Sequence, residues 1–288
     1  MVSWKFKTVV PATAVDAFSI AVESLCPTVA SFEIPGSNLW RIEGYAPDMP
    51  RHADAAAAMA IVAAQVGIAE PAFTCVPLPN IDWVADNQLT FQPMHVGRYF
   101  IQPSHFDGAP PHGAIALMID AGAAFGTGEH ATTKSCLLAL DGLAKRRRFR
   151  RPLDLGCGAG ILGLAMAATW RRSVVAADID PQSVAVARAN AATNGLSEWL
   201  RVLCSNGVAD WELRKAGPYD LIVANILAAP LVALSQGLNA CLATHGILIL
   251  SGLLAQQENA VRNAYRQQGL SLWRRIPCEG WHTLILAR

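Results

Sequence analysis

The spacing of apolar positions changes along the chain and divides it into regions. Trp4 to Val10 alternates as a strand does, and Thr13 to Leu25 carries the apolar stripe of an amphipathic helix. Val29 to Ile34 and Leu39 to Tyr45 read as a strand pair around the turn Pro35-Gly36-Ser37-Asn38. Asp54 to Val66 is alanine-rich and helical by propensity, and Ala72 to Pro77 makes a last strand. A β-α-β-β-α-β order predicts a small ferredoxin-like α+β domain over residues 1–78. No catalytic constellation is apparent within it.

Residues 79–114 are rich in Pro, Asn, Asp and Gly with short strand-like runs such as Arg98 to Gln102, the pattern of a connecting segment with some structure of its own. From 115 to 288 apolar strands alternate with helices. Pro152 to Leu155, Ser173 to Asp178, Leu200 to Cys204, Tyr219 to Ala224 and Gly246 to Ser251 are the strands. Helices start near Gly160, Pro181, Pro230 and Ala255. This alternation predicts an α/β domain with a doubly wound parallel sheet covered on both faces. Leu270 to Ile276 and Trp281 to Ala287, joined by a turn at Cys278-Glu279-Gly280, predict a closing antiparallel hairpin. An ending of this kind resembles the seven-stranded Rossmann-like sheet of class I methyltransferases.

Composition narrows the function. Of 288 residues 52% are apolar and 16% charged, which suits a folded globular chain. No stretch reaches the eighteen or so apolar residues of a membrane span, and Met1 to Val10 lacks a signal-peptide h-region, so a cytoplasmic location is expected. The seven cysteines are scattered, without a C-x-x-C pair, and indicate neither disulfides nor a metal site. A net charge of +1 gives no global field toward DNA or membrane. The local exception is Lys145 to Arg151, six of whose seven residues are basic. That run is either a solvated loop or a contact for RNA or an acidic partner.

Leu153-Asp154-Leu155-Gly156-Cys157-Gly158-Ala159-Gly160 sets glycines where a strand passes into a helix, so that backbone can approach a nucleotide-like ligand. Gly158, Gly160 and Gly163 also satisfy G-x-G-x-x-G, which keeps an NAD-dependent dehydrogenase open. Such an enzyme leaves the helix N-terminus free for an anionic pyrophosphate. An acid in the loop instead favours S-adenosyl-L-methionine, which is cationic and has no phosphate. Asp154 would help neutralise that cation, directly or through water, or would cap the loop backbone. Asp178 ends the next strand, where a carboxylate can accept from both ribose hydroxyls, whereas Asp180 before Pro181 is placed to cap a helix. Ser205-Asn206-Gly207 lacks an acid for the adenine amino group.

Tyr219 to Leu227 finishes a strand with Asn225 at the edge of the expected methyl site. Its side-chain carbonyl would accept from a substrate amine and aim the nitrogen at the methyl, or the residue serves as a turn. Upstream, Asp120 to Thr133 is rich in Gly and Thr and reads as a lid, with Phe125, Gly126 and Thr127 over the cofactor, Thr133 at the start of the helix Lys134 to Leu143, and His130 as either a base or a structural residue.

Together Ala124 to Thr133, Leu153 to Gly160, Asp178-Ile179-Asp180-Pro181, Ala224-Asn225-Ile226-Leu227 and Leu248 to Leu254 closely resemble the PrmA family, which methylates large-subunit ribosomal protein eleven. The resemblance covers nearly the whole chain. It implies trimethylation of lysine side chains and the N-terminal α-amine of that protein, with the front domain as the substrate-recognition unit. It also implies cofactor contacts at Thr133, Gly156, Asp178 and Asn225. Glu129, Ala131 and His105 depart from the family's more frequent Thr, Pro and Trp. The alternative within the same chemistry is a lysine methyltransferase of the electron-transfer flavoprotein β-subunit, which generally lacks such a front domain. A monomer is expected.

Overall fold

The computed structural model describes residues 4–34, 36–78, 93–120 and 131–288. The chain divides into two compact units, 1–82 and 83–288. In the first, β1 (Trp4–Pro11), α1 (Val15–Glu23), β2 (Thr28–Glu33), β3 (Leu39–Ala46), α2 (His52–Val66) and β4 (Phe73–Pro77) form an antiparallel sheet of order β2-β3-β1-β4. Phe6 and Val10 point from β1 to one side, where they meet Phe18 and Val22 of α1, Ile42 of β3 and Met59 of α2 in a closed core. The period-two and helical stripes therefore converge on one face. Gly44 lets α1 sit close, since a Cβ there would lie 2.7 Å from Val22 Cγ1. Gly67, with φ of +71°, ends α2 in a left-handed cap.

In the second unit β5 (Met94–Val96), β6 (Tyr99–Gln102) and β7 (Ile115–Met118) make a three-stranded sheet. These residues fall largely in the stretch read from sequence as connecting segment. They fold with the second unit because Val96, Tyr99, Ile101 and Leu117 enter its core. The main sheet has the order β10-β9-β8-β11-β12-β14-β13. Its strands are β8 (Pro152–Leu155), β9 (Val174–Asp178), β10 (Leu200–Cys204), β11 (Tyr219–Asn225), β12 (Leu242–Leu254), β13 (Ser271–Cys278) and β14 (Trp281–Ala287). The first five are parallel, and β14 joins antiparallel between β12 and β13. Buried apolar layers lie on both faces, as a parallel sheet requires.

Helices α3 (Ala131–Ala144), α4 (Ile161–Trp170) and α5 (Pro181–Thr193) supply one part of the covering. Further along come α6 (Trp211–Ala216), α7 (Ala228–Ala233), α8 (Ser235–Cys241) and α9 (Glu258–Arg266). Seven of the ten residues of α4 are buried, and its sequence is apolar all round because sheet and neighbouring helices enclose it. Asp180 caps α5 by accepting from the N–H groups of Gln182 and Ser183, with Pro181 at the first helical position.

A chain of buried hydroxyls joins α3 to β12 and β14 on the face of the sheet it covers. Thr283 Oγ1 lies 2.6 Å from both Ser135 Oγ and Ser251 Oγ, and Ser135 Oγ donates to the carbonyl of Thr132 at 3.0 Å. All three side chains are fully enclosed. Thr283→Val keeps the shape but removes the hydroxyl that Ser135 and Ser251 share, leaving each only the Thr132 carbonyl, so it should lower stability by about 1–3 kcal/mol. Urea unfolding would show this as a lower midpoint at unchanged slope, and an unchanged midpoint would remove the network from the stabilising interactions.

Candidate active site

At the C-terminal ends of β8, β9 and β11 the second unit opens into a cavity of about 780 Å³, within the range of small-molecule sites. Its lining is mostly apolar, from Leu155, Ile161, Leu162, Ile179, Ile226, Leu227 and Leu234, with polar groups at a few points. The loop after β8 forms its floor. Gly156, Gly158 and Gly160 all have positive φ, of +71°, +52° and +85°. At Gly156 a side chain would also collide, its Cβ falling 2.3 Å from Ile226 Cγ2. Only glycine permits both the turn and the close approach. Gly156 and Cys157 donate their N–H groups to the carbonyl of Ala177, at 2.8 and 3.1 Å. The loop is thus fastened to the end of β9.

Asp178, half-buried at that strand end, accepts from Gly158 N–H at 2.8 Å through Oδ2 and from Asp180 N–H at 3.0 Å through Oδ1. Each oxygen keeps a lone pair toward the cavity it lines. Asn225, at the end of β11, donates from Nδ2 to Thr133 Oγ1 at 3.4 Å. Thr133 is the third residue of the described part of α3 rather than its cap, and its hydroxyl is buried against the cavity.

Thr133, Gly156, Gly158, Asp178 and Asn225 therefore meet around one space. Asp154 does not line it. Strand alternation turns its side chain beneath the loop, where Oδ2 accepts from Gly163 N–H at 2.7 Å while Oδ1 is buried without a partner. This is the backbone-capping alternative rather than a direct contact with a ligand. Phe125, Gly126 and Thr127, with Glu129 and His130, lie outside the described residues. Gly252 and Trp281 also line the cavity and had no role in the sequence reading. A signal for Gly252 exists in the turn after the fifth strand: its φ is +86°, and a Cβ would lie 2.3 Å from the carbonyl oxygen of Ile226. Nothing in the sequence marks Trp281. Among the described residues no cluster of His, Cys, Asp or Glu could hold a metal, and no helix is long and apolar enough to cross a membrane.

Burial lifts the Asp154 carboxyl to about 7, with the nearby Asp178 charge adding to the rise and the Gly163 N–H opposing it. Burial likewise pushes the Cys157 thiol far up, so this cavity cysteine stays protonated.

The sheet order, with five parallel strands and an antiparallel final pair, the glycine floor and the acid ending the second strand define a class I S-adenosylmethionine-dependent methyltransferase. The family model described as ribosomal protein L11 methyltransferase (PrmA) matches residues 15–288. A relative so named from Rhodopseudomonas palustris (strain BisB5) is 38% identical over 260 residues, covering 90% of this chain and 87% of its own. Another from Caulobacter sp. (strain K31) is 40% identical over 211 residues, 73% of each chain. The crystal structure of ribosomal protein L11 methylase from Lactobacillus delbrueckii subsp. bulgaricus superimposes with a TM-score of 0.61 at 30% identity, covering 66% of this chain and 95% of that one. The chain belongs to the PrmA family of methyltransferases, and its cofactor is S-adenosyl-L-methionine. The dehydrogenase reading is thereby set aside.

The raised Asp154 predicts a particular pH dependence for the ligand-free protein. A carboxyl whose folded pKa exceeds its unfolded value contributes most below the unfolded pKa and loses that contribution as pH rises through the folded one. Stability from this group should therefore fall between about pH 4 and about pH 7. Asp154→Asn retains an acceptor for Gly163 and should remove this component, so that the variant gains on the parent as pH rises from 5 to 8 in urea unfolding. Parallel curves for the two proteins would show that Asp154 is ionised throughout.

Proposed function

We propose that this enzyme methylates amines of ribosomal protein L11, both lysine side chains and the N-terminal α-amine. The observation that carries the reading is Asn225. Its Nδ2 is turned to Thr133, which leaves Oδ1 as an acceptor without a partner among the described residues, at the edge of the cavity. A carbonyl so held can accept from a substrate N–H and direct the nitrogen lone pair inward. The electron-transfer flavoprotein alternative has less support, since the family match runs through the front unit from residue 15.

The cavity fits the cofactor on its own features: glycines where a Cβ would collide, and a carboxylate at the end of β9 with lone pairs to spare. Asp178 would hold the ribose hydroxyls, Gly156 and Gly158 the backbone-lined floor, and Thr133 would steady Asn225; Phe125, Gly126 and Thr127 would cover the site. Asp154 acts through the loop it supports. When bound, S-adenosylmethionine supplies a methyl group on a sulfonium, open to in-line displacement by a nitrogen lone pair.

A lysine amine has an ordinary pKa near 10.4 and must shed a proton before it can attack. Among the described lining residues the titratable groups are Cys157, held protonated, and Asp178, engaged with two backbone N–H groups. In this reading Cys157 stays a thiol, Asp178 is committed to the ribose hydroxyls, and the proton passes to water, aided by the apolar lining that disfavours an ammonium. The ferredoxin-like unit grips the protein substrate. The enzyme works as a cytoplasmic monomer, without DNA or membrane.

Incubation with methyl-labelled S-adenosylmethionine and a hypomethylated cell extract, followed by mass spectrometry, should place label on L11. Label on a different protein or on RNA would replace the substrate. Two variants should separate the roles within the cavity. Asp178→Ala should weaken cofactor binding in calorimetry by about tenfold to a hundredfold, the loss expected for hydrogen bonds to a charged group. Asn225→Ala should lower kcat far more than cofactor affinity, and equal losses in both quantities would move Asn225 into the cofactor-binding set.

A further inference from the structure

Arginines gather at the end of the second unit's sheet opposite the cavity. β8 and β9 run parallel with Leu153 beside Val175, so Arg150-Arg151 and Arg171-Arg172, just before each strand, emerge side by side. Phe149 and Trp170 pack edge to face at 5.0 Å between centroids and tie the two approaches together. Arg146, Arg147 and Arg148 extend the surface from the end of α3. Arg147 stacks over Phe149 at 5.0 Å and donates to the carbonyl of His245. Asp220 fixes the loop by accepting from the backbone N–H groups of Arg150 and Arg151.

The guanidinium groups of Arg146, Arg148, Arg150, Arg151, Arg171 and Arg172 are exposed and hold no partner among the described residues. Asp220 and Glu198 also lie at this end, but seven arginines outnumber them, in a protein whose net charge is only +1. Arg171 stands in the left-handed region, φ +50°, at the C-cap of α4, where glycine would be relaxed.

We propose that this surface docks the phosphate backbone of RNA. Planar guanidinium forks match phosphate oxygens two at a time. Among the described residues the patch offers no exposed aromatic or aliphatic anchor, Phe149 being buried and Trp170 half-buried. A protein interface would want such an anchor, and a membrane surface an apolar wedge, whereas a polyphosphate needs charge alone. β8 separates the patch from the glycine loop by four residues, roughly 13 Å of strand. RNA held there leaves the cavity open to a protein amine. The choice of RNA over DNA rests on the proposed ribosomal substrate.

Fluorescence anisotropy with a short labelled RNA duplex tests the proposal in the full chain. With four phosphate contacts, affinity should fall roughly a hundredfold between about 50 and about 200 mM salt. Arg146→Glu with Arg148→Glu, and separately Arg171→Glu with Arg172→Glu, should each weaken RNA binding at least about tenfold and flatten the salt slope. Cofactor binding and methylation of free L11 should stay unchanged in both. Lys7→Glu with Arg51→Glu, an equal charge change in the first unit, should leave RNA affinity close to that of the parent. Equal weakening by that control would overturn the assignment. So would absent RNA binding at low salt, tighter binding of a DNA duplex, or comparable or tighter binding of polyglutamate or phosphatidylserine vesicles. Loss of RNA binding with methylation intact upholds the RNA site even if the labelled substrate proves to be another protein.

Discussion

The attachment of the glycine loop to the end of β9 governs the cavity. Two backbone N–H groups converge on the carbonyl of Ala177, and Gly158 N–H reaches the Asp178 carboxylate. The turn needs positive φ at three glycines, and it also needs Ile226 and Ala187 to stand where side chains at Gly156 and Gly160 would otherwise be. Loop conformation, helix placement and strand end are thereby a single condition. The acid that fastens the loop also lines the cavity, so cavity wall and loop geometry share one carboxylate.

A second set of bonds carries this rigidity sideways. Asn190 of α5 donates to the carbonyl of Ala159 within the loop and exchanges hydrogen bonds with the backbone of Asp120, while Asn194 does the same with Met118. The strand leading toward the Gly- and Thr-rich segment is therefore held by the helix that follows Asp178. On the other side the hydroxyl chain Ser135-Thr283-Ser251 sets the first turn of α3, and with it Thr133, against β12 and β14. Asn225 pairs in register with Ser251. Its side chain is thus placed between two elements fixed by the same buried hydroxyls.

Much of this was legible in the residues, and for physical reasons. The parallel strands are short and mostly apolar, so β8 and β10 stand at the boundaries read for them. Proline marked helix starts with less precision: α7 begins at Ala228, since Pro230 sits in the first turn, where a missing N–H costs nothing. β12 runs from Leu242 to Leu254, beyond the Gly246 to Ser251 core, because Leu253 and Leu254 pair with β14 across a register shift. That pairing depends on residues some thirty positions away and leaves no local trace. The same holds for Trp281, which reaches the cavity only through the antiparallel insertion of β14.

Asp154 shows where a composition argument gives way to geometry. A carboxylate two residues before a glycine turn looks well placed for a cationic ligand, yet strand alternation separates Asp154 from Leu155, which lines the cavity. One oxygen is spent on Gly163 N–H and the other is enclosed, and burial raises the group to about 7. Removing a buried carboxylate from water disfavours its charged form, and a single N–H bond offsets only part of that cost. Asp154 therefore acts on the cavity only through the loop above it. Asp178, more exposed and accepting from two backbone N–H groups, lines the cavity instead.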